Sequence, residues 1–325
     1  MRIISRAPVR ISLFGGGTDY PGYYRRHPGA VLGGTIDKFT HVSLNVPENC
    51  FPHRVRLSYS KIELAENIET IEHPSVRECL KFLQFSAPLD IHLFSDLPAK
   101  TGLGSSSSCT VGLLHALHAL LKTPISQRTL AEEALFIEQH CICENVGSQD
   151  QFHAAFGGVN IIEFHHDKID VRPVKLDHSL LETHLLLLYT GLTRYASDVL
   201  HEQVEKTNSR VNDLYLQRMY EMVFEAEQLL ARPDSLLELG KLLNESWELK
   251  KRLSEKITTS KIDEAYSAAK RAGAYGGKLC GAGSGGFLLL LIEPTKQMQI
   301  REALPDLPVI PVRFEHKGST IVYAK

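Results

Sequence analysis

The chain has 325 residues, 43% hydrophobic and 23% charged, with a formal net charge of −2. That length accommodates two domains, each able to bury its own core, and the composition is that of a globular protein. Near-neutral charge without a lysine-arginine block excludes a general attraction for nucleic acid. The apolar runs at 185–189 and 287–292 are too short to span a bilayer, and residues 1–6 read as a strand rather than a signal peptide.

Alternating and β-branched patterns predict strands at 2–5, 9–13, 31–36, 41–44, 55–58 and 89–94. Helical spacing follows over 106–121 and 127–143, the second opened by Ser126 as N-cap. A turn with Asn145, Gly147 and Ser148 leads into 150–156, then Gly157-Gly158 and a strand at 159–164. Composition shifts over 165–183, which divides an N-terminal domain of residues 1–175 from a C-terminal domain of 176–325. After a strand at 184–189 the chain is mainly helical from 197 to about 273, with Leu200, Val204, Val211, Leu214, Met222 and Leu229 at helical spacing. It closes with a strand at 286–292, a helix at 295–304 and strands at 309–314 and 320–323. Strands and helices segregate more than they alternate, so the expected class is α+β, built of two-layer domains. The six cysteines are scattered without a CxxC pair, which argues for cytoplasmic thiols over a zinc site or a disulfide framework.

The densest chemistry lies in Pro98-Ala99-Lys100-Thr101-Gly102-Leu103-Gly104-Ser105-Ser106-Ser107-Ser108, between a strand and an apolar helix. Glycines let a ligand approach the backbone, and the free N–H groups of the helix start, aided by the macrodipole, suit a phosphate chain. The serine hydroxyls add donors, or oxygen ligands for a hard cation. A flexible serine linker would not run from a strand straight into an apolar helix. Gly281-Ala282-Gly283-Ser284-Gly285-Gly286 matches GxGxxG, but helix-like sequence precedes it and a strand follows, the reverse of a dinucleotide fold. Near the start, a strand carrying Arg10 runs into Gly15-Gly16-Gly17-Thr18-Asp19-Tyr20, where Asp19 is suited to accept hydrogen bonds from sugar hydroxyls or to cap a helix.

Together these three segments resemble the GHMP kinases, the superfamily of galactokinase, homoserine kinase, mevalonate kinase and phosphomevalonate kinase. The matches fall near the start (7–20), in the middle (98–106) and toward the end (278–286), so the resemblance covers essentially the whole chain. It implies a two-domain fold, with an N-terminal mixed β-sheet carrying helices and a C-terminal ferredoxin-like α/β sandwich. It implies ATP and Mg²⁺ as cofactors, with Lys100, Gly102, Leu103, Gly104, Ser105, Ser106, Ser107 and Ser108 around the nucleotide phosphates. Asp150 takes the place of the catalytic aspartate, Arg10 that of its cationic partner, and Glu138 with Ser106 that of the metal ligands. The choice of serine stays open by one position, because Ser107 and Ser108 carry hydroxyls where relatives often have alanine. Gly16, Gly17, Thr18, Asp19 and Gly283 fall in the acceptor-binding motifs. Gly16-Gly17 replaces the Glu-His pair of galactokinases, and further details (14–21, 35–38, 189–194, 276–279) resemble the branch acting on heptose 7-phosphates. That implies an anomeric O1 kinase for a sugar phosphate, with Arg194 and Lys278 as phosphate-binding cations. A kinase for a free sugar such as fucose, or a sugar sensor without catalysis, is the competing expectation. The implied partners are ATP and a sugar phosphate, with no nucleic acid or membrane, for a cytoplasmic monomer or homodimer.

Overall fold

A computed structural model describes residues 1–48, 53–192 and 196–325, without the side chains of 196–200. In chain order the elements are β1 (Arg2–Phe14), α1 (Pro21–Tyr24), β2 (Gly29–Asn45), β3 (Val55–Ser58), β4 (Ile62–Ala65), α2 (Pro74–Phe82), β5 (Leu89–Ser95), α3 (Ser105–Leu121), α4 (Gln127–Phe136), α5 (Asp150–Phe156), β6 (Val159–Phe164) and β7 (Ile169–Pro173). There follow α6 (His178–His184), β8 (Leu185–Tyr189), α7 (Ala196–Asn208), α8 (Asp213–Leu230), α9 (Leu236–Leu253), α10 (Ser260–Arg271), β9 (Gly276–Leu279), β10 (Phe287–Leu291), α11 (Gln297–Ala303), β11 (Val309–Ile310) and β12 (Thr320–Ala324).

The first sheet runs β12-β1-β2-β5-β3-β4, with β6 on the other half of β2 and β7 beyond it. Its only parallel pair among the described strands is β3 with β5. The sequence splits β1 and β2 into two strands each, whereas both are continuous. Their pairing jumps from Pro8↔Phe39 to Arg10↔Thr35, a bulge at the proline that cannot donate a ladder bond. Helix α3 crosses the sheet and is apolar nearly all round because it is buried on most sides, including Val111, Leu113, Leu114, Ala116 and Leu117. Ser5 Oγ donates to Gly112 O at 2.6 Å, fixing the helix to β1.

The second sheet is antiparallel, in the order β11-β8-β10-β9. Read from β8, that is the strand order of a split β-α-β-β-α-β sandwich, with helices α7 to α10 in the first crossover and α11 in the second. Strand β12 then returns to β1 of the first sheet. The α+β class is therefore that of the molecule, with layers of helix on sheet and the glycine-rich turns at the junction of the two sheets. No helix among the described residues is long and apolar enough to cross a membrane.

Candidate active site

The Gly102 turn and the start of α5 converge on one guanidinium. Arg10 donates from Nε to Asp150 Oδ1 at 2.9 Å and from Nη2 to Oδ2 at 2.8 Å, a fork that fits a carboxylate. Its Nη1 donates to Gly102 O at 2.7 Å, and its backbone N–H to Leu103 O at 2.9 Å. Gly104, at φ +74°, precedes the first turn of α3, and a Cβ there would lie 2.9 Å from Asp150 Oδ2. The serine-bearing helix start and the carboxylate at the start of α5 are thus in contact. The third glycine segment closes the other side: a Cβ on Gly281 would lie 2.2 Å from Gly102 Cα. Backbone meets backbone there, which is why both positions need glycine.

The four serines divide by direction. Ser105 and Ser106 line a cavity of about 650 Å³ together with Lys100, Tyr59, His73 and Phe94. Ser107 turns inward and donates to Glu138 Oε2 at 2.8 Å, with Gln151 Nε2 donating to the same oxygen. Ser108 Oγ donates within the scaffold, to Pro8 O at 2.8 Å. Glu138 sits in a π-helical turn (Ile137–Cys141) where the sequence predicts continuous α-helix; the wider turn brings the carboxylate inward. Burial pushes its pKa up to about 7 against the bonds from Thr110, Gln151 and Ser107. Its Oε1 is buried without a partner, so a carboxylate oxygen stands free beside hydroxyls, a donor set that fits a hard cation.

On the opposite side of the glycine turn lies a cleft of about 170 Å³, lined by Arg10, Gly16, Gly17, Asp19, Asp150, Lys250 and Lys278 among others. Asp19 Oδ1 accepts from Gly17 N–H at 2.9 Å and Oδ2 from Gln149 Nε2 at 2.8 Å. Burial raises its pKa, while these two bonds oppose the shift. A Cβ on Gly147 would stand 2.0 Å from Asp19 Oδ2, so the turn before α5 seats this carboxylate.

Two expected acceptor residues lie away from the cleft lining. Thr18 is fully buried, its Oγ1 2.8 Å from both Gly15 O and Ala30 O and absent from the cleft lining. Gly283 packs on the Ile257 backbone (a Cβ would lie 2.7 Å away), and Gly281 and Ala282 face the cleft in its stead. Arg194 lies outside the described residues. Lys278 does reach the cleft, buried, with Nζ donating to Leu13 O at 3.1 Å. Lys250 was not legible: within Lys250-Lys251-Arg252 it reads as the solvated basic end of a helix, yet it is buried, with Nζ on Leu279 O at 3.0 Å and on Gly281 O. The large cavity's Tyr59, His73 and Phe94 also carry no motif that would single them out.

Residues 69–158 match the GHMP kinases N terminal domain and residues 226–309 the GHMP kinases C terminal domain. The chain is 30% identical to the D-glycero-alpha-D-manno-heptose 7-phosphate kinase of Campylobacter jejuni over 93% of both sequences. This chain is a GHMP kinase. GHMP kinases of this kind are phosphotransferases that use ATP as donor and a hydroxyl as acceptor, and the relatives make this one a sugar kinase. It is also 27% identical to the L-fucokinase/L-fucose-1-P guanylyltransferase of Bacteroides fragilis, over 93% of this chain but 36% of that protein. The fold agrees with a D-glycero-D-manno-heptose 1-phosphate kinase of Bacteroides thetaiotaomicron, at TM-score 0.80 and 23% identity over 99% of each chain. It agrees too with Lactococcus lactis galactokinase complexed with galactose, at TM-score 0.76 and 20% identity over 98% of this GHMP kinase and 95% of that one.

Proposed function

We propose that this kinase transfers the γ-phosphoryl group of ATP to the anomeric O1 of D-glycero-D-manno-heptose 7-phosphate. The product is the 1,7-bisphosphate, a precursor of nucleotide-activated heptose for surface glycans. The observation that carries the reading is the Arg10–Asp150 fork wedged between the glycine turn and a cleft that also holds Asp19 and two buried lysines. The name of the Campylobacter jejuni relative supports the choice of acceptor.

Asp150 orients the acceptor hydroxyl and takes its proton as the O1–phosphorus bond forms and the bond to the departing ADP oxygen breaks. Arg10 holds Asp150 in place and stabilises charge on the group in transfer. The N–H groups at the start of α3 and the Gly102–Leu103–Gly104 turn cradle the phosphates, with Lys100, Ser105 and Ser106 toward the large cavity. Mg²⁺, when bound with the nucleotide, neutralises phosphate charge; Glu138 would hold it with Ser106, as the resemblance implies, or Ser107, as its bond to Glu138 favours. Asp19 receives sugar hydroxyls, Gly16 and Gly17 leave room for the acceptor, and Lys278 meets its phosphate. Residues 1–175 supply the donor side and 176–325 the lysine-bearing wall, with the kinase working as a cytoplasmic monomer or homodimer.

An anomeric kinase for a free sugar such as fucose is the second reading, favoured by the fucokinase relative. Coupled ADP-release assays with heptose 7-phosphate, free heptose and fucose separate the two. The highest kcat/KM belongs to heptose 7-phosphate; a higher value for either free sugar overturns the assignment.

A further inference from the structure

Two lysines from different elements, Lys250 on α9 and Lys278 on β9, meet at the wall of the acceptor cleft. Each ammonium carries three donors. Lys250 uses two, on Leu279 O and Gly281 O, and Lys278 uses one, on Leu13 O, so donors remain on both. Among the described residues neither is paired with a carboxylate. The cleft lining holds three cations (Arg10, Lys250, Lys278) against two carboxylates, and Asp150 is taken up by Arg10 while Asp19 is held by Gly17 and Gln149. A buried charge without a counter-charge is costly, and a neutral sugar would leave it so.

We propose that Lys250 is a specificity-determining residue which, together with Lys278, receives a phosphate monoester on the acceptor. This rests on the sugar-phosphate reading above and names the side chains that would select it. The electrostatics agree. Burial holds the Lys250 pKa down to about 7 and that of Lys278 to about 8; Arg10 deepens both shifts, Lys278 further lowers Lys250, and Cys280 and Asp19 oppose them. An anion between the two ammonium groups restores their charge, which a hydroxyl does not.

The test is the ratio of kcat/KM for heptose 7-phosphate to that for free heptose, in the wild type, Lys250→Met and Lys250→Arg. The Met variant lowers the ratio roughly 10–100-fold through KM for the sugar phosphate, with KM for ATP unmoved, and the Arg variant retains more of it. A ratio unchanged in Lys250→Met, or equal losses on both acceptors, overturns the proposal. Should the variants not fold, wild-type inhibition by inorganic phosphate serves. Competition with the sugar phosphate that weakens from pH 7 to 9 supports the pair, and competition with ATP alone refutes it. Wild-type protein that turns over free heptose but not its 7-phosphate sinks the functional reading instead.

Discussion

Replacing Asp150 by Asn keeps the shape of the side chain and removes both its charge and one acceptor. Arg10 Nε, at 2.9 Å from Oδ1, keeps a partner, but Nη2, at 2.8 Å from Oδ2, then faces an amide donor. Arg10 retains its bond from Nη1 to Gly102 O. The side chain of Asp150 is 22% exposed and that of Arg10 7%, so solvent screens only part of the loss. A cost of about 1–3 kcal/mol in stability follows, lowering the melting temperature of a chain this long by about 1.5–4.5 °C. The rate falls further, because the proton acceptor is gone. Loss of a positioned general base is worth about 10²–10⁴ in kcat, or about 3–5 kcal/mol of barrier. The assay is ADP release at saturating ATP and sugar phosphate, beside a thermal melt of the free protein. A variant with kcat within about threefold of the wild type would refute the role of Asp150, whatever its melting temperature.

Gly104→Ala forces a Cβ to within 2.9 Å of Asp150 Oδ2 at φ +74°, and is expected to cut kcat roughly a hundredfold with a folded protein on the melt. Gly281→Ala meets backbone rather than a side chain, 2.2 Å from Gly102 Cα, so it costs stability first, about 1–3 kcal/mol by denaturant titration. Ser107→Ala is expected to raise the Mg²⁺ concentration for half-maximal activity more than Ser106→Ala, because Ser107 is the hydroxyl on Glu138; metal titrations of both variants decide it. His153 is fully buried with its pKa held down to about 3 by burial and by Arg10, so it stays neutral in the fold while the unfolded chain protonates near pH 6.5. The unfolded state then binds more protons, and stability falls as pH drops from about 6.5 toward 3; melts of His153→Leu over that range should show a shallower fall. The depressed Lys250 has the same sign at higher pH: ligand-free stability rises from about pH 7 toward 10.5, and Lys250→Met flattens that slope.

Much of the fold was legible where local pattern and tertiary partner agree. β3 and β6 run over the residues that their alternation predicts, 55–58 and 159–164, and Ser126 caps α4 by accepting from Thr129 N–H. Misses follow from context. The sequence pattern ends one strand at residue 5 and starts the next at 9, yet β1 runs through Pro8 with a register shift and the ladder continues. Gly276-Gly277 has no strand propensity, but β9 needs it: a Cβ on Gly276 would lie 1.8 Å from Gly240 O of α9. At the site, glycine and serine chemistry marks the serine turn as a place for phosphates, whereas Asp150, Glu138 and the role of Arg10 are singled out only by the resemblance to GHMP kinases. Lys250 was hidden because its burial depends on where α9 docks, which no local spacing records.

The phosphorus NMR spectrum of the product made from ATP and heptose 7-phosphate decides which oxygen receives the phosphoryl group. The expected spectrum keeps the 7-phosphate resonance and adds a second, coupled to the anomeric proton, in equal amount. A new phosphate coupled to any other sugar proton, or no second resonance while free heptose is phosphorylated, would contradict transfer to O1.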